Sequence, residues 1–252
     1  MKDEAKATVQ LAVPIIIGEL AQMSLHIIDT AMVGALGYRE LAATALVMNA
    51  MNIPFVLGIG MTISVSQMVS LSNGRKDAAA VSHYLYNGFI LCTITAIVIA
   101  CTLVFGRNLL AHLGQDKQGV EPALPLMTLM GFSIIPMLLF MTLKQFADGL
   151  EFTRIAMLLS LVALPITVFL NWLLIYGHWN LSRLGPLGGG WATLITRTLI
   201  FIALGAIILK HKTFEYWIGL GKVHWTLKRK TLKELLQRRA VIYFDPDMVA
   251  IV

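Results

Sequence analysis

Four stretches of this chain run for 22 residues or more without one charged side chain: Leu41 to Gly74, Ala78 to Gly106, Pro122 to Leu143 and Ile155 to Ser182. A helix rises about 1.5 Å per residue, so a hydrocarbon core about 30 Å thick needs about 20 residues per crossing. Each stretch is long enough to cross. Across all 252 residues, 57% are hydrophobic and 13% charged, where a soluble domain carries about 25% charged residues. That balance excludes a water-soluble globule, and so much apolar side chain excludes disorder. Breaking the chain at charges and Gly/Pro/Asn clusters gives six spans, over about 9–33, 45–70, 85–106, 122–145, 155–177 and 188–210. The expected fold is all-α: a polytopic bundle over 1–212, a basic interfacial linker over 213–237 and an atypical tail over 238–252.

Six spans put both ends on one side. Of the 20 Lys/Arg, fifteen fall on that side, including Lys144 and nine from Lys210 to Arg239, and four (Arg39, Arg107, Lys117, Arg183) on the other. Positive residues favour the cytoplasm, so both termini are expected there. The linker mixes Phe214, Trp217 and Trp225 with Lys228, Arg229 and Lys230, as a segment along anionic headgroups would. The net charge of +6 therefore points to lipid, with no nucleic-acid partner. Lys2, Asp3 and Glu4 open the chain unlike a secretory signal, so the first span is expected to remain in the mature protein. Cys92 and Cys101 read as packing residues in one apolar run.

The first span is the informative one. Glu19, Gln22, His26 and Asp29 recur at intervals of three and four, which aligns them on one helix face. Ionisable groups at membrane depth normally face a bundle interior or wet cavity and serve ion or proton relays. The plainer reading, interhelical hydrogen bonding, suits Gln22 and His26 as well as a functional one does; it suits Asp29 less. Arg197 lies in the sixth span at a depth matching Glu19, and the two are expected to form a buried pair, with Asp29 the alternative partner. Pro14, Pro54, Pro125, Pro136 and Pro165 allow bends within spans. Asn49, Asn52, Ser64, Ser66, Gln67, Thr167 and Asn171 add neutral polar groups. Metallohydrolase, serine-elbow and phosphate-loop signatures are absent, so no enzyme and no cofactor are expected.

These residues resemble a known family. The run from Pro14 to Gln22 with Gly18 and Glu19, then Asp29 to Gly34, Gly37 and Leu41 to Ala43, is similar to the first-helix signature of multidrug and toxic compound extrusion (MATE) transporters of the NorM-like branch. Pro54 with Gly58 and Gly60, Gln67 before Asn73-Gly74, Phe146 to Gly149 with Thr153 and Arg154, and Asn171 to Gly177 leading to Gly185–Gly189 follow in order. The resemblance covers about residues 8 to 237. It implies secondary antiport across the bacterial inner membrane, exporting cationic amphipathic drugs in exchange for H⁺ or Na⁺. It further implies Asp29 as the coupling-ion site, with Gln22, His26, Asn171 and Thr167 lining the cavity. The resident metal is expected to be none, apart from Na⁺ as coupling ion at Asp29. One of the family's fifth-helix Asn positions is Thr167 here. The family has two six-helix lobes and this chain supplies the equivalent of the N-terminal one, so the resemblance implies a second lobe or a homodimer as partner. Residues 238–252 depart from the family pattern, as a truncated or frameshifted reading frame would; a non-transporting membrane fragment is the alternative function. A lipid-flippase-like relative would call for a more basic cavity than Arg197 alone provides.

Overall fold

The computed structural model describes residues 2–107, 117–179, 182–211, 214, 216 and 217. Six helices follow in order: α1 (Lys2–Gly34), α2 (Tyr38–Gly74), α3 (Ala78–Gly106), α4 (Lys117–Gly149), α5 (Thr153–Tyr176) and α6 (Pro186–Lys210). All six are long and apolar enough to cross a membrane. The spans expected from sequence fall inside these helices, Gly177 apart, and several helices run past them. α2 begins at Tyr38, for example, because the Gly37 turn and not the apolar boundary sets its start. Most of 213–237 and all of 238–252 lie outside the described residues.

Local chemistry places the turns. Asp77 caps α3 by accepting from the Ala80 N–H at 3.0 Å, satisfying one of the open donors of the first turn. Gly177 ends α5 at φ 73°, and Gly185 at φ 57° precedes Pro186, whose fixed φ suits the first turn of α6. The Leu184 and Gly185 N–H groups donate to the Leu174 and Ile175 carbonyls at 3.2 and 3.3 Å, which lays the start of α6 along the end of α5.

α4 is the central helix, packed against α2, α3 and α6, while α1 lies against α5 and touches α2 and α6 only sparingly. Accordingly 67% of α4's apolar window is buried, against 17% of α1's. Lipid tails are as apolar as leucine, so close packing and small residues hold such helices together. Gly188 shows the closest fit: a Cβ there would collide with the Leu174 carbonyl of α5, and at neighbouring Gly190 it would meet Leu129 of α4 at 2.7 Å. Two buried clusters divide the core along α4, one around Phe140, Phe146 and Phe214, the other around Leu126, Met130 and Leu138. The polar site borders the first of them, through Leu25, Phe140 and Ile200.

Candidate functional site

The helical phase that aligns Gln22, His26 and Asp29 turns all three into the bundle, where they line a cavity of ≈ 20 Å³ with Thr167 of α5 and Thr193, Thr196 and Arg197 of α6. That is room for about one water-sized occupant. Asp29 is 6% exposed. Its Oδ1 accepts from Asn171 Nδ2 at 2.6 Å and its Oδ2 from Thr193 Oγ1 at 3.1 Å, so each carboxylate oxygen has one donor from a different helix. Thr167 donates to Thr196 at 3.3 Å, and Gln22 Nε2 to Ser160 Oγ at 3.2 Å. The His26 ring stands edge-on to Phe55 of α2, with centroids 6.3 Å apart.

Asn171 reaches the site differently from the expectation. It is fully buried behind Asp29 and takes no part in the cavity wall. Its Oδ1 has no hydrogen-bond partner among the described residues, an open acceptor beside a carboxylate that a proton donor or a cation would satisfy.

The expected Glu19–Arg197 pair does not form. Glu19 Oε1 accepts from Lys144 Nζ of α4 at 2.7 Å, and Lys144 also donates to Asp148 Oδ2 at 3.3 Å. Lys144, counted from sequence among the residues of the cytoplasmic side, is 2% exposed within α4, whereas Glu19 is 50% exposed. Matching depth misled because α1 scarcely touches α6; at Gly18 its neighbours are Met157 of α5 and the Lys144 side chain. Arg197 instead donates from Nη1 to Ser133 Oγ of α4 at 2.7 Å, and it shares the small cavity with Asp29 without ion-pair contact among the described residues.

Thr193, Thr196, Ser133 and Ser160 escaped the sequence reading. The signal for α6 was present, since Thr193, Thr196 and Arg197 at i, i+3 and i+4 share one face. Ser133 and Ser160 are isolated hydroxyls in apolar runs, and only packing reveals their partners.

Comparison with known proteins agrees with this architecture. The MatE family profile matches residues 14–173. A probable multidrug resistance protein NorM of Geobacillus kaustophilus is 29% identical over 250 residues, covering 96% of this chain and 54% of that protein. The multidrug resistance protein NorM of Vibrio parahaemolyticus is 26% identical, covering 100% of this chain and 56% of its own length. Among solved structures, an outward-facing multidrug resistance MATE family transporter superposes with a TM-score of 0.81 at 22% identity, over 92% of this chain and 50% of that one. A MOP superfamily transporter from Pyrococcus furiosus gives 0.81 at 20% identity, over 93% and 51%. These structures share the fold, and the chain spans about half the length of the relatives it matches.

Proposed function

The chain belongs to the MatE family, and from that premise we propose that this multi-pass membrane protein acts as one six-helix lobe of an ion-coupled antiporter that exports cationic amphipathic compounds. The observation that carries the reading is the Asp29 carboxylate, withdrawn from solvent and held by donors from α5 and α6 beside a cavity of ≈ 20 Å³. A negative charge in a low-dielectric surround attracts any cation strongly. A proton or Na⁺ arriving at Asp29 cancels that charge, weakens the hold on a cationic drug and favours its release; drug and ion compete for one carboxyl. The open Oδ1 of Asn171 supplies a second oxygen for a small cation. Gln22, His26 and Thr167 line the water-sized approach. Alternating access needs two halves that move against each other, and this chain supplies one, so a second lobe, either a separate chain or a second copy of this one, completes the transporter. The membrane is the bacterial cytoplasmic one, with both termini inside.

Ethidium efflux from cells expressing this chain tests the reading. Efflux abolished by Asp29→Asn supports it, and efflux unchanged by that substitution contradicts it. A second reading, favoured by the chain's half-length match to its relatives, is a non-transporting lobe that associates with a full-length relative; absent efflux together with recovery of such a complex would select it.

A further inference from the structure

A second, larger cavity of ≈ 300 Å³ opens between α1 and α2, and Arg197 and His26 belong to its wall as well as to that of the Asp29 cavity. Its apolar lining is Met48, Met51 and Phe55; its polar lining adds Thr30 and Asn52. Among the described residues no carboxylate lines it. The Thr30 hydroxyl is already committed to the His26 carbonyl at 2.8 Å. Arg197 has five N–H donors, and among the described residues only Nη1 has a hydrogen-bond partner, Ser133. A permanent cation with unused donors thus stands at the wall of a Met- and Phe-lined space of the size at which small-ligand pockets begin.

We propose that this cavity binds the carboxylate end of a small amphipathic molecule, with the Arg197 guanidinium as its anchor and Met48, Met51 and Phe55 against its apolar body. The planar fork matches a carboxylate in two parallel hydrogen bonds, and a charged acceptor strengthens both. Thioether and ring faces adapt to an aromatic or aliphatic body without fixing its identity. The assignment deepens the transporter reading and rests on it for its biological sense: because the two cavities share His26 and Arg197, a zwitterionic ligand would meet Arg197 with its carboxylate and the Asp29 side with its cation.

The test is titration calorimetry on the full 252-residue chain in phosphatidylcholine nanodiscs, comparing 1-naphthylacetate with its neutral isostere 1-naphthylacetamide. The acid is expected to bind about tenfold tighter than the amide or better, the factor that about 1.4 kcal/mol provides. Arg197→Gln should remove that preference and Arg197→Lys should keep part of it. Should Arg197→Gln fail to fold, the wild-type comparison still decides, and Asn52→Trp, at an exposed position of α2, should block the acid. Equal binding of acid and amide, no binding of either, or a preference that survives Arg197→Gln overturns the assignment. Undiminished binding with phosphatidylglycerol in the discs supports a solute ligand; displacement overturns it in favour of a lipid headgroup. A chain that shows the preference but no ion-linked transport counts against the coupling reading alone. A chain that transports without the preference counts against this site alone.

Discussion

At the scale of single residues, charge burial separates groups that look alike in the sequence. Lys144 is 2% exposed between Glu19 and Asp148, whereas the Glu19 side chain is 50% exposed. Lys144→Met therefore leaves the buried Asp148 carboxylate without its partner, and about 3–5 kcal/mol of stability should be lost. Glu19→Gln should cost under about 1 kcal/mol, because a half-exposed partner is screened. Thermal unfolding of both variants in detergent checks the order; equal losses would show that Glu19 carries the cluster. Asn171→Leu removes the donor to Asp29 Oδ1 and with it a bond between α1 and α5. A loss of about 1–3 kcal/mol is expected in the same assay, and a neutral result would mean that the contact holds nothing. The inward face of α1 was legible because its period is that of a helix and lipid excludes such groups. The partners of Glu19 and Arg197 were not, because depth in the membrane says nothing about which helices touch.

Among the helices, close approach decides more than hydropathy. A Cβ on Gly188 would strike the backbone of Leu174, which cannot swing aside as a side chain can, while at Gly74 nothing lies within 4 Å. Gly188→Ala should push α6 off α5, displace Thr193 from Asp29 and cost about 1–3 kcal/mol. Gly74→Ala should be neutral or slightly stabilising. Melting temperatures of the two alanine variants test the contrast, and a harmless Gly188→Ala would refute the packing described for α5 and α6. The six helices themselves were readable from uncharged runs broken at charges and Gly/Pro/Asn clusters. The central place of α4 was not, since its sequence is no more apolar than that of α3; only the glycines and alanines facing it, Gly58, Gly190 and Ala43 among them, hint at how many neighbours it has.

For the whole molecule, six crossings and the basic bias together predict an orientation that labelling can check. In a variant with Cys92 and Cys101 replaced by Ala, a single cysteine at Arg39 should react with an impermeant thiol reagent on intact cells, and one at Arg75 only after the membrane is opened; the reverse pattern would invert the topology. The family and the all-α architecture were visible from ordered motifs, because spacing along a membrane helix survives as sequence diverges. A cavity lined by Gln22, His26 and Thr167 was expected from the resemblance, but the larger space adjoining it was not, since it arises from how α1, α2 and α6 are placed. Competition between drug and ion at Asp29 is measured directly by ethidium binding to the purified chain as pH is lowered or Na⁺ is raised. Weakening of about tenfold, within the usual range of coupling between ligands, is expected for the wild type with a flat response in Asp29→Asn; a wild type indifferent to both ions, or a variant that responds as the wild type does, would contradict it.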